Sequence, residues 1–223
     1  MGKDIELTAK DGHKLAAYRA DPAGKPKAGI VVIQEIFGVN QHMRNVTDRY
    51  AAAGYAAVCP ALFDRVERGV ALGYEPDDIA AGRDIRAKTD WNAVVADIGA
   101  AVALLAGEGL KVGSVGFCWG GSVSYLAAAR LPVAAAVGYY GGQIVPFLGE
   151  APKVPTMLHF GDRDGGIPMA DVLKIARAQP AVEIHIYPAG HGFACDERKD
   201  FTPACAEQAW ERTQAFFAQH LAA

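Results

Sequence analysis

A chain of 223 residues, 51% hydrophobic and 21% charged, has the make-up of a globular protein and excludes a disordered or fibrous one. Its net charge of −3 offers no basic patch for nucleic acid, and no apolar run reaches the roughly 18 residues a membrane helix needs. At this size one α/β domain, residues 1–223, is expected to bury roughly 70% of its unfolded surface around one large core.

The chain starts Met1-Gly2-Lys3-Asp4-Ile5-Glu6, without the apolar stretch of a signal peptide, so a cytoplasmic protein is expected. Two extended stretches between Ile5 and Arg19 flank Lys10-Asp11-Gly12-His13, where Asp-Gly marks a tight turn and predicts an antiparallel edge hairpin. Residues Ala28 to Ile33 form a β-branched run of the kind buried on both faces, and a helical pattern follows from Gln41 to Ala53. Further buried runs are Ala56 to Cys59, Val112 to Phe117, Val133 to Tyr140, Thr156 to Phe160 and Val182 to Tyr187, mostly separated by helix-length amphipathic stretches. This βα rhythm predicts an α/β fold with a mainly parallel central sheet and helices on both faces. Between Leu62 and Asp90 the rhythm lapses into a charged stretch too long for a plain connection. It reads either as an excursion over the carboxyl edge of the sheet, where open α/β folds bind ligands, or as a solvated surface helix. A last helix, Ala204 to His220, with apolar Ala209, Phe216 and Leu221, is expected to pack on one sheet face.

The four cysteines, Cys59, Cys118, Cys195 and Cys205, contain no CxxC pair, which argues against a disulfide framework and against a zinc site. Cys59 reads as a small core residue of a strand. Cys118 is different. In Gly113-Ser114-Val115-Gly116-Phe117-Cys118-Trp119-Gly120-Gly121-Ser122 a buried strand runs into Gly-x-Cys-x-Gly and then a helix, Val123 to Ala129, which is a nucleophile elbow with sulfur in place of oxygen. A bulky residue at Gly116 or Gly120 would obstruct the close strand–helix approach, and the helix N-terminus favours the thiolate.

A thiol nucleophile needs a base, and in this type of fold the order is nucleophile, acid, histidine. Of His159, His185, His191 and His220, the first two lie inside strands and the last on the terminal helix, whereas His191 stands in a glycine-flanked loop. The acid belongs on the loop after the preceding strand, where Asp162 and Asp164 are candidates. Asp164 is preferred, because glycines and a helix start at Pro168 follow it, while Asp162 sits where a carboxylate often only bonds turn amides. Its task is to fix the His191 tautomer. Gln34-Glu35-Ile36-Phe37-Gly38-Val39-Asn40 ends a central strand and places the Ile36 N–H as the second donor, beside that of Trp119, of an oxyanion hole. Glu35 at the buried end of an apolar strand needs a partner, either as a structural carboxylate or as a functional one.

These segments, together with Val137-Gly138-Tyr139-Tyr140-Gly141 and Ala189-Gly190-His191-Gly192-Phe193, resemble the dienelactone hydrolase (carboxymethylenebutenolidase) family over nearly the whole chain. The resemblance implies the α/β-hydrolase fold and a Cys-His-Asp triad at Cys118, His191 and Asp164. It also implies a glutamate, here Glu35, that bonds the resting thiol and helps deprotonate it, and it implies no metal or cofactor. Members of the family hold the lactone carboxylate with arginines. Where one of these stands four residues after the histidine, this chain has Cys195, and ungapped matching puts Ile79 at the other. Arg83 and Arg86, one and two helical turns on, and Arg198 are the available substitutes, and Tyr140 matches a pocket tyrosine. The expected partner is therefore a small-molecule lactone or ester, with no nucleic acid and no membrane.

A thiolate leaves a tetrahedral intermediate more readily than an alkoxide, so an enol lactone or activated ester, whose own leaving group is good, suits the nucleophile best. Two other readings stay open: a broader carboxylesterase or thioesterase of the same fold, and a non-catalytic thiol protein that senses oxidation at Cys118.

Overall fold

In the computed structural model, which describes residues 2–222, the core is one eight-stranded sheet. The edge hairpin consists of Lys3–Thr8 (β1) and Lys14–Ala20 (β2), paired antiparallel around a turn in which Gly12 takes φ 85°. The strands that follow are Gly29–Ile33 (β3), Ala56–Pro60 (β4), Val112–Phe117 (β5), Ala135–Tyr139 (β6), Thr156–Gly161 (β7) and Glu183–Tyr187 (β8). They assemble in the order β1-β2-β4-β3-β5-β6-β7-β8, and every pair from β4 to β8 is parallel.

Helices Gln41–Ala52 (α1) and Pro203–Leu221 (α6) cover one face, while Trp91–Gly107 (α3) and Trp119–Arg130 (α4) cover the other. The period of two explains why β3 reads as a continuous apolar run. Ile30 and Val32 pack towards Tyr50 and Phe217, whereas Val31 and Ile33 pack towards Val94, Ile98 and Val123. Among the described residues no single helix is long and apolar enough to cross a membrane.

Two boundaries depart from expectation. Strand β6 ends at Tyr139 because Tyr140 turns into the left-handed region at φ 40°. Helix α4 begins at Trp119 rather than Val123, since its two glycines serve close approach and do not break the helix: a Cβ on Gly120 would lie 2.4 Å from the Gln34 carbonyl oxygen. The charged stretch after β4 contains helix Pro76–Ala87 (α2), capped by reciprocal bonds between Glu75 and Asp78. It lies over the carboxyl edge of the sheet, where a Cβ on Gly82 would stand 2.2 Å from the Ile36 carbonyl oxygen. The remaining helix, Met169–Ala178 (α5), follows β7.

Candidate active site

Cys118 occupies the tight turn between β5 and α4 with φ 54° and ψ −120°, a strained conformation for a side chain with a Cβ. Two close contacts hold it there. Its N–H donates to the Tyr139 carbonyl at 3.0 Å, and Gly116 meets the first turn of α4 so closely that a Cβ would fall 1.8 Å from the Gly120 oxygen. The strain thus lifts the thiol out of the sheet, where it remains partly exposed.

His191 lies in the loop after β8 and directs Nε2 to Cys118 Sγ at 3.1 Å. Its Nδ1 faces Asp164 Oδ2 at 2.7 Å. Asp164, in the loop after β7, is itself locked, because Oδ1 accepts from the Gly166 and Ile167 amides at 2.8 and 3.1 Å. The structure therefore brings together Cys118, His191 and Asp164. Asp162 stays near the surface beside Arg163. His159 is buried between Tyr187 and Thr213, His185 pairs with Glu183, and His220 packs on Phe216.

Burial opposes a charge on His191, but the Cys118 thiolate and the Asp164 carboxylate outweigh it and raise the imidazole from 6.5 to about 10. A group raised on folding stabilises the protein fully below its unfolded value and loses that contribution as pH rises through the folded one. The melting temperature of the wild type is thus expected to exceed that of His191→Gln most at about pH 6 and to approach it towards about pH 10. A gap that widens with pH in parallel thermal melts contradicts the raised imidazole.

Above Cys118 opens a cavity of about 590 Å³. Ile36 and Trp119 line it, and neither amide donates to a protein acceptor among the described residues. Arg83, Arg86 and Arg198 also line it, and no carboxylate does. Arg86 lies over the rings of Trp91 and Trp119, 4.3 and 5.1 Å from their centroids, and bonds Thr89 and Gln143. Arg83 is exposed and has no acidic partner among the described residues.

Tyr140 does not reach this cavity. It is fully buried, packs against the His191 ring at 5.1 Å, and leaves its hydroxyl without a partner among the described residues. Glu35 is also fully buried, and here it makes no hydrogen bond to Cys118. Its Oε2 accepts from the Tyr74 hydroxyl at 3.0 Å and its Oε1 from Arg198 at 3.4 Å. Tyr74 escaped the sequence reading because it stands in the irregular segment before α2, 39 residues from the carboxylate it holds. Trp91, which positions Arg86, likewise gave no local signal.

A family profile described as the dienelactone hydrolase family matches residues 15–221. A carboxymethylenebutenolidase from Pseudomonas putida is 37% identical over 231 residues, covering 98% of this chain and 97% of its own length. Among solved structures, a Klebsiella pneumoniae protein assigned as a dienelactone hydrolase superposes with a TM-score of 0.86 at 29% identity, covering 98% of this chain and 99% of that one. A dienelactone hydrolase from Anabaena variabilis shares the fold, with a TM-score of 0.74 at 19% identity and coverage of 99% and 98%.

Proposed function

Given that the chain belongs to the dienelactone hydrolase family, a group of α/β-fold hydrolases, we propose that it opens an anionic enol lactone through a thioester on Cys118. The observation that carries this reading is the Sγ to Nε2 distance of 3.1 Å at the floor of a cavity lined by three arginines and no acid. The Cys118 thiolate attacks the lactone carbonyl, and the Ile36 and Trp119 amides receive the oxyanion. When the intermediate collapses, the ring C–O bond breaks and the departing enolate takes the His191 proton. Neutral His191 then removes a proton from water, hydroxide attacks the thioester, and the thiolate leaves with the imidazolium restored. Asp164 keeps the imidazole in the tautomer that both steps need.

Arg83 and Arg86 are suited to the substrate carboxylate, since Arg198 is already engaged by Glu35. Arg83→Ala is expected to raise KM about tenfold for an anionic enol lactone, the equivalent of ~1.4 kcal/mol, and to leave a neutral aryl ester unaffected. The same panel tests the broader reading. Aryl esters and thioesters turned over as fast as the lactone, with no effect of Arg83→Ala, would identify a general esterase.

Glu35 is proposed to leave Tyr74 and Arg198 when substrate enters and to help pass the Cys118 proton to His191, so that the imidazolium is in place for the departing enolate. General bases contribute roughly 10²–10⁴-fold, and with His191 already in reach of the same proton Glu35→Gln is expected at the lower end, about 10²-fold. Burst kinetics should show that loss in acylation, with breakdown of the thioester nearly unchanged. An equal loss in both steps assigns Glu35 to holding Arg198 only.

A further inference from the structure

Three buried side chains from separate segments converge beside this site: Glu35 after β3, His42 on α1 and Cys195 after β8. A carboxylate oxygen, a ring nitrogen and Sγ all lie within 4.8 Å of one another. His42 is 3% exposed, and its Nδ1 bonds Asp196 Oδ1 at 3.1 Å, which leaves Nε2 as the free nitrogen. That Nε2 is buried with no partner among the described residues, although buried polar atoms are nearly always paired. The Tyr140 hydroxyl, close enough to feel the charges of both Glu35 and Cys195, is a second such atom.

We propose that Glu35, His42 and Cys195 form a binding site for a thiophilic divalent cation of the zinc class. Thiolate, imidazole and carboxylate together suit Zn²⁺ or Co²⁺ rather than Mg²⁺ or Ca²⁺, which take oxygen ligands. Tetrahedral bonds of 2.0–2.3 Å put ligand atoms about 3.5 Å apart, so the three donors need to close in by no more than about 1.3 Å, with water completing the shell. Asp196 completes the carboxylate–histidine–metal arrangement that orients a ligating ring. On binding, a Cys195 Sγ–metal bond forms and the thiol proton passes to solvent, with no change of oxidation state. His42 and Asp196 also line a separate cavity of about 240 Å³, which Cys118 does not line. An ion held there takes the carboxylate that Arg198 uses and releases that guanidinium towards the larger cavity.

The site is tested in Cys118→Ala protein, which lacks the thiol of the neighbouring Cys118–His191 pair and so removes that competing ligand set. Titration with Co²⁺ should reach one ion per chain, with tetrahedral d–d bands and a near-ultraviolet thiolate-to-cobalt band that Zn²⁺ abolishes by displacement. Adding Cys195→Ser should remove the thiolate band and weaken binding by more than about 100-fold, beyond the 10–100-fold typical of an outer residue, while Asp196→Asn falls within that range. If the Cys195→Ser protein fails to melt cooperatively, His42→Gln carries the same expected weakening of more than about 100-fold, with the thiolate band retained at saturating Co²⁺. Absence of the thiolate band in the Cys118→Ala protein, or affinity unchanged by both Cys195→Ser and His42→Gln, overturns the proposal.

Discussion

Replacing Cys118 by alanine is expected to lower kcat/KM by at least about 10⁴-fold, or ~5.4 kcal/mol of transition-state stabilisation, and to leave the fold intact. No other thiol can substitute. Cys59, Cys195 and Cys205 are buried, and burial pushes the thiols of Cys59 and Cys195 up to about 12. Iodoacetamide near neutral pH should therefore label one site rapidly in the wild type and none in the mutant. Alanine also has a Cβ, so the strained φ of 54° is retained and the melting temperature should move by only a few degrees. Residual turnover within tenfold of wild type would remove Cys118 from the mechanism.

Asp164→Asn is expected to reduce kcat by about 10⁴-fold with little loss of stability, because the change alters which nitrogen of His191 carries the proton. The Asn carbonyl can keep the two amide bonds now made by Oδ1, from Gly166 and Ile167. Its NH₂ group then faces His191 Nδ1, where Oδ2 stands at 2.7 Å, and donates to it. The ring must respond by placing its own proton on Nε2, 3.1 Å from Cys118 Sγ, where a lone pair is needed to receive the thiol proton. The substitution also removes one of the charges that raise His191 to about 10, so the imidazole holds its proton less firmly. Slow alkylation of Cys118 together with low kcat is the expected pair of results. Wild-type alkylation with wild-type kcat would make Asp162, or no aspartate, the orienting group.

Much of the fold was legible in the chain because the signals are local. A strand buried on both faces must be apolar at every position, as in Gly29–Ile33 and Val112–Phe117, and the runs were located to within about two residues. The Gly-x-Cys-x-Gly spacing was equally readable, since the steric reason for its glycines lies within five residues of sequence. The positions of His191 and Asp164 followed from chain order, each on the loop after a recognisable strand.

Partnerships across the chain were not legible. The sequence placed Glu35 against the thiol by resemblance, yet the structure gives its carboxylate to Tyr74 and Arg198, which stand 39 and 163 residues away. Tyr140 sits where the motif puts it, but its positive φ turns the ring inward behind His191 and away from the cavity. The spacing of the cysteines likewise gives no sign of the cluster of Glu35, His42 and Cys195, whose members come from the segments after β3 and β8 and from α1 and meet only in the folded chain. Sequence by itself determined the strands, the elbow at Cys118 and the chain order of Cys118, Asp164 and His191, because backbone periodicity and elbow sterics act over a few residues. Only the tertiary structure decided which buried charge meets which partner, because a carboxylate is paired by whatever donor packing brings within about 3 Å, and sequence separation plays no part in that.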